Sequence, residues 1–289
     1  MEDLSWLDRN EYPFRSRFVG TPEGNVHYLD EGEGEVLLFL HGNPTWSFMY
    51  RELFRHFSSN GFRCLAVDYL GFGLSDKPEG IEYVPQLHAR HITQLIEELQ
   101  LENITIVIHD WGGPIGMSYA VDHPENVKRL IVLNTWFWSL KGKLAAELYT
   151  LILGGPVGRF LCRQFNAFPR FIMPLAFGRR EMAPHIHQHY TKPFPSPGTR
   201  DGQWMFVRAV TGESEWLDSI WAKREGLRNK PMLILWALDD PVFKLDHLEQ
   251  WQKAFPDHRL ETFPRVGHFI AEEAGHDLVV PAESFLRDT

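Results

Sequence analysis

Asp110 closes an unbroken, largely β-branched run, Ile104-Thr105-Ile106-Val107-Ile108-His109, and Trp111-Gly112-Gly113-Pro114 follows it at once. Such a run predicts a strand buried on both faces. The two glycines free the backbone to turn sharply into a helix that should reach about His123. A strand, a tight turn and a helix form an elbow that lifts one side chain above the sheet. A carboxylate held there needs no base to become a nucleophile. It suits displacement at an electrophilic carbon, leaving an ester that must then be hydrolysed. A plainer role is also open to it, since Asp commonly caps the helix that starts beside it.

Three further polar groups fall just after apolar segments. Asn43 follows Val36–Leu40 within His41-Gly42-Asn43-Pro44-Thr45-Trp46; Asp240 follows Met232–Leu235 within Trp236-Ala237-Leu238-Asp239-Asp240-Pro241; His268 follows Arg259–Phe263. In open parallel sheets, ligands bind beyond the carboxyl ends of the strands. Singly, Asn43 and Asp240 read as turn residues before proline and His268 as a helix cap. Their shared position points instead to one site, with nucleophile, acid and histidine in that chain order. Other attractive residues fit less well. Ser118, in Gly116-Met117-Ser118-Tyr119-Ala120, comes after the turn and inside the helix. His185 and His189 share a helical spacing used by metal ligands, but no third ligand follows at a suitable distance, so no metal site is expected.

The elements that must position these groups alternate along the chain. Phe18–Thr21 and Asn25–Asp30 flank Pro22-Glu23-Gly24 as a hairpin, and Val36–Leu40 is the next strand. A helix is predicted from Trp46 to about Ser59, a strand over Arg63–Val67, and a helix over Gln86–Leu99. After the strand at Ile104 come a helix, then strands at Arg129–Leu133, Met232–Leu235 and Arg259–Phe263, then helices over Leu245–Phe255 and Ile270–Leu286. This is an α/β chain: a doubly wound, mostly parallel sheet of eight strands. The rhythm stops between residues 136 and 213, where aromatic residues, proline and glycine replace any clear strand. That stretch reads as a helical cap inserted into a core of residues 1–135 and 214–289. An apolar cap above strand ends makes a dry pocket, which Phe194 and Trp204 are expected to line. A satellite hydrophobic cluster without a ligand is the other reading.

Composition narrows the partners. The chain has 289 residues, 44% hydrophobic and 13% aromatic, with a formal net charge of −9. A negative balance argues against nucleic acid or an anionic membrane as a general partner. Cys64 and Cys162 are far apart and read as free buried thiols, which fits a reducing, cytoplasmic location. Met1–Asn10 lacks the apolar stretch of a signal peptide, and no run approaches the ~18 apolar residues of a membrane span.

Taken together, these motifs resemble those of haloalkane dehalogenases in the α/β-hydrolase superfamily. The resemblance rests on His41-Gly42-Asn43-Pro44-Thr45-Trp46, Asp68-x-x-Gly71-x-Gly73-x-Ser75, His109-Asp110-Trp111-Gly112-Gly113, Tyr190-Thr191-Lys192-Pro193-Phe194-Pro195, Trp236-Ala237-Leu238-Asp239-Asp240-Pro241 and Gly267-His268-Phe269. It implies an α/β-hydrolase fold. It also implies hydrolysis of a small halogenated aliphatic substrate by water, without cofactor. Asp110 would be the nucleophile, His268 the base, Asp240 its acid, and Asn43 with Trp111 the halide and oxyanion donors. Some members carry the acid after the sixth strand, where this chain has Asn134. Asp240 is therefore expected, although Ala237 stands where the family's turn usually has Gly. Oligomeric state stays open. An epoxide hydrolase shares the Asp nucleophile but needs two cap tyrosines, for which Tyr149 and Tyr190 are available, and usually has no amide at position 43. A non-catalytic receptor on the same scaffold is the rival from another class.

Overall fold

The computed structural model describes residues 4–178 and 181–289. Eight strands join one sheet: β1 (Arg17–Thr21), β2 (Gly24–Glu31), β3 (Glu35–Leu40), β4 (Phe62–Val67), β5 (Ile104–Asp110), β6 (Val127–Thr135), β7 (Met232–Ala237) and β8 (Arg259–Phe263). Their order is β1-β2-β4-β3-β5-β6-β7-β8. Only the hairpin edge is antiparallel, β1 with β2 and β2 with β4; the other pairings are parallel. Leu38 stands opposite both Leu65 and Ile106, which places β3 and β5 at the centre.

The apolar runs have no polar face because both faces are covered. Leu38, Leu40, Ile106 and Ile108 point into one core layer with α2 (Pro85–Glu98), α3 (Gly112–Asp122), α9 (Ser214–Ala222) and α10 (Leu245–Ala254). Their neighbours Leu37, Phe39 and Val107 point into the other, under α1 (Arg51–Ser58) and α11 (Ile270–Asp288). Each fully buried aliphatic side chain contributes about 1.5–3 kcal/mol, so the two layers hold the strand ends firmly. Two helices differ from the sequence expectation. The helix predicted from Trp46 opens as a 3-10 turn, Ser47–Tyr50, before α1. The closing helix is kinked at Ala274 and carries Pro281 inside, where no backbone N–H is available.

Between β6 and α9 the described residues form no strand; their helices are α4 (Leu144–Leu153), α5 (Pro156–Phe165), a π turn at Phe168–Ile172, α6 (Met173–Leu175), α7 (Pro184–Thr191) and α8 (Asp201–Gly212). This cap is clasped to the core by a buried network. Tyr190 donates its hydroxyl to Glu272, which also binds Arg51 through both oxygens at 2.6 and 2.7 Å. The Arg51 guanidinium lies 4.2 Å over the Phe48 ring. The Trp46 indole donates to the His189 carbonyl at 2.7 Å, and the His189 ring stacks on Phe48 at 4.3 Å. His189 Nδ1–H bonds to the His185 carbonyl at 2.8 Å, while Nε2 accepts the Asp8 N–H at 3.0 Å. The His189 ring is thus engaged in packing and in these two hydrogen bonds. Cys64 and Cys162 are free and buried, and burial pushes the Cys162 thiol up to about 12, so it stays protonated. Among the described residues no helix is long and apolar enough to cross a membrane.

Candidate active site

Asp110 occupies a left-handed conformation, φ +49°, at the end of β5. Non-glycine residues rarely adopt it, and tight packing enforces it here. A Cβ on Gly42 would lie 2.1 Å from Asp110 Oδ1; one on Gly112 would lie 2.0 Å from the Leu40 carbonyl oxygen, and one on Gly113 1.9 Å from Thr135 Oγ1. Glycine at these three positions lets the elbow form. The Asp110 side chain does not cap α3, whose N-cap residue is Trp111, with no side-chain capping bond. It turns instead toward β3, where Oδ1 accepts the Asn43 backbone N–H at 2.7 Å. The Trp111 backbone N–H also bonds to the carboxylate.

His268 lies across the site. Its Nδ1–H donates to Asp240 Oδ2 at 3.0 Å, leaving Nε2 3.7 Å from Asp110 Oδ2. Asp240 is held on every side. Oδ1 accepts the backbone N–H groups of Val242 (2.6 Å) and Phe243 (3.1 Å), and Oδ2 accepts Asn134 Nδ2 at 2.9 Å. Asn134, at φ +28°, is itself fixed by the Ala237 N–H and C=O. The position left without an acid therefore still serves the acid, as its orienting donor. Asp239 is exposed, its N–H bonded to Val266. The histidine's backbone is anchored too: His268 N–H donates to Ala176 of the cap at 2.8 Å, and its carbonyl accepts His109 Nε2–H at 2.8 Å. Buried Glu273 accepts the N–H groups of Gly178 (2.9 Å) and Gly267 (2.8 Å), tying cap segment and histidine loop together.

Burial penalises the charges of both Asp110 and His268, and the neighbours answer it unequally. Burial raises the Asp110 carboxyl above the ordinary carboxylate range, although His268 and the N–H groups of Asn43 and Trp111 favour the anion. Burial alone would depress His268, but Asp240 and then Asp110 outweigh it and hold the imidazole above its usual value.

Asp110, Trp111, Asn43 and His268 open into a cavity of about 510 Å³. Its other walls include Trp136, Trp138, Tyr149, Phe168, Val207 and Phe243, so it is mainly apolar, although Lys143, Lys244, Asp246, His247 and Gln250 also line it. The Trp111 ring stacks on Phe206 (5.1 Å) and meets Trp136 edge-on (4.8 Å). Asn43 Nδ2 donates one hydrogen to the Gln203 carbonyl at 3.2 Å, which fixes the amide and leaves its second N–H free to serve the cavity. No local pattern marks Gln203 for this role.

Phe194 and Trp204, expected on the pocket wall, are not on it. Phe194 is buried against Phe72 at 6.2 Å, ring planes perpendicular. Trp204 donates its indole N–H to Gly154 at 2.9 Å and is sandwiched between Arg159 and Arg208, each 4.9 Å from the ring. Phe194 thus packs the cap on the core, and Trp204 serves cohesion within the cap. Ser118 lines a separate surface groove with Gln86 and Asp122. Of the two cap tyrosines, Tyr149 lines the cavity, whereas the Tyr190 hydroxyl is committed to Glu272.

Residues 35–275 match the α/β-hydrolase fold family. The chain is 34% identical to haloalkane dehalogenase 2 of Mycobacterium bovis over 269 residues, covering 92% of this chain and 93% of the relative. It is also 34% identical to cis-3-alkyl-4-alkyloxetan-2-one decarboxylase of Shewanella oneidensis over 286 residues, covering 96% and 90%. The solved haloalkane dehalogenase DatA of Agrobacterium tumefaciens superposes with a TM-score of 0.85 at 25% identity, covering 95% of this chain and 96% of that one. A nucleophile elbow bearing Asp, these identities over nearly the whole length and the shared architecture agree: the chain belongs to the haloalkane dehalogenases of the α/β-hydrolase fold family.

Proposed function

We propose that this chain cleaves the carbon–halogen bond of small haloalkanes through an ester on Asp110. The observation that carries the reading is the Asp110 carboxylate, held by two main-chain N–H groups and facing a His268–Asp240 pair in the wall of a mainly apolar cavity. Asp110 attacks carbon in line, and the C–halogen electrons leave as halide. A bare halide in such a cavity is costly, so donors matter; the Trp111 indole N–H and the free N–H of Asn43 supply them. Esterification removes the Asp110 charge that supports a protonated His268, so the imidazole is released as a base. It takes a proton from water, which attacks the ester carbonyl. The Asn43 and Trp111 backbone N–H groups then carry the oxyanion, and Asp240 stabilises the imidazolium. Alcohol departs and the carboxylate returns. Water is the only co-reactant in this scheme, no cofactor takes part, and a cytoplasmic location suits the free thiols. The cap's second tyrosine is spent on Glu272, which disfavours epoxide opening by a tyrosine pair.

A second reading has its own support in the oxetanone decarboxylase relative. Attack of the same carboxylate at the ring carbon bonded to oxygen would expel the ring carboxylate. Loss of CO2 would then form the alkene and return Asp110, without water. Halide release from short bromoalkanes, run beside CO2 and alkene release from a cis-3,4-dialkyl oxetanone and diol formation from styrene oxide, separates the readings. Diol without halide, or CO2 without halide, would overturn the first.

The donors give a direct prediction. Trp111→Phe and Asn43→Ala should each slow bromide release by ~10²-fold or more, the usual loss for one buried donor to a developing anion. Unchanged turnover in both would leave the halide without its assigned partners.

A further inference from the structure

The cap wears its apolar side outward. Among the described residues, eleven of the seventeen large apolar side chains left exposed fall between residues 144 and 175, too concentrated to be ordinary surface scatter. On α4 the exposed set is Leu144, Leu148, Tyr149, Leu151 and Ile152, of which Leu144, Leu148, Leu151 and Ile152 form an i, i+4, i+7, i+8 stripe. On α5 it is Val157, Phe160, Leu161 and Phe165, again at helical spacing. Leu151 is 72% exposed, Val157 66%, and Leu175 nearby in the chain 82%. An apolar stripe at helical period is what a helix normally turns toward a core, and here it faces solvent.

Charge follows the same division. Residues 136–213 carry ten Lys or Arg against four Asp or Glu, while the rest of the chain carries nineteen against thirty-four. The negative balance thus belongs to the core, and the cap is basic. Lys141, Lys143, Arg159 and Arg170, all exposed, flank the apolar stripes in the chain. Leu144 and Tyr149 of α4 also line the cavity, so the apolar face is continuous with the cavity wall.

We propose that the α4–α5 face docks on an anionic lipid surface, with the cavity opening toward the bilayer. Apolar helices in the headgroup region and basic residues beside them are the two attractions such docking needs. The acidic core, repelled by the same surface, sets the orientation. A second copy or another protein seated on this face would cover the α4 edge of the cavity. A bilayer leaves it open and is itself a reservoir of apolar substrate. The substrate route rests on the haloalkane reading, whereas docking does not.

The test uses the full-length protein and a double variant, Leu151→Gln with Phe160→Gln, at two exposed positions off the cavity wall. Wild type should sediment with vesicles of equal parts phosphatidylglycerol and phosphatidylcholine, much less with phosphatidylcholine alone, and less in high salt. The variant should bind about tenfold more weakly and lose a similar factor on 1-bromododecane dissolved in vesicles, while keeping its rate on aqueous 1-bromobutane. Failure of wild type to sediment with the anionic vesicles overturns the proposal, as does binding indifferent to the two substitutions. So does an assembly in solution that the substitutions dissolve, which would make the face a contact between copies. Vesicle binding without halide release from either substrate would overturn the functional reading and leave the docking.

Discussion

His268→Phe is expected to release about one bromide per protein molecule and then stop. Asp110 attacks as a carboxylate and gives up no proton in doing so, so the first step needs no base. Hydrolysis of the ester does, and no other base faces Asp110 in the site described above. Mass spectrometry should find the alkyl group on the peptide carrying Asp110; steady turnover, or an adduct on Ser118, would refute the scheme. In the wild type the same division appears in pH. His268 works as the neutral base, so steady turnover should fall as pH drops through the titration of His268 in the ester, where the Asp110 charge no longer helps to hold its proton. The single-turnover burst needs only ionised Asp110, so it should persist to lower pH, until that carboxyl, itself raised, takes up its proton. A burst and a steady rate that fall together would place the base in the first step.

Asp240→Asn should be nearly as damaging, with ester again accumulating. The carboxylate accepts His268 Nδ1–H at 3.0 Å, fixing the tautomer that presents a bare Nε2 to the cavity. In serine proteases the corresponding change costs about 10⁴-fold, and a loss of that order is expected here. Asp239→Asn, at an exposed side chain, should stay close to wild type. Pre-steady-state ester hydrolysis measured in both variants decides the matter. An active Asp240→Asn beside a dead Asp239→Asn would move the acid by one residue. Adding Asn134→Glu to Asp240→Asn should restore part of the rate, because position 134 already lies within hydrogen-bonding distance of Asp240.

The strands were legible because a segment buried on both faces has no polar position left, and their ends named themselves by abrupt polarity. Asp110 could be singled out because it ends an apolar strand and Gly112-Gly113 follow almost at once, a local signal. Asn43, Asp240 and His268 were legible because each follows an apolar strand in the same way. The cap was not. Aromatic side chains declare that they will be buried but not against what, and the rotation of α8 took Trp204 to the arginines while Val207 reached the cavity. Gln203, Asn134 and Glu273 act through partners distant in sequence: Asn43 for Gln203, Asp240 for Asn134, Gly178 for Glu273. No pattern within a window of neighbouring residues records such a contact.

The coupling at Glu273 bears on how such a protein can be rebuilt. Its carboxylate joins Gly178 to Gly267, the His268 N–H grips Ala176, and a Cβ on Gly267 would lie 2.2 Å from the Ala176 carbonyl oxygen. Cap and histidine loop are therefore one machined part. A chimera that imports another member's cap across residues 176–178 must import the matching carboxylate and both glycines, or it will displace the base it means to keep. Exchange of α4 and α5 alone leaves that joint untouched, so those two helices are where the cavity wall can be redesigned without moving the base.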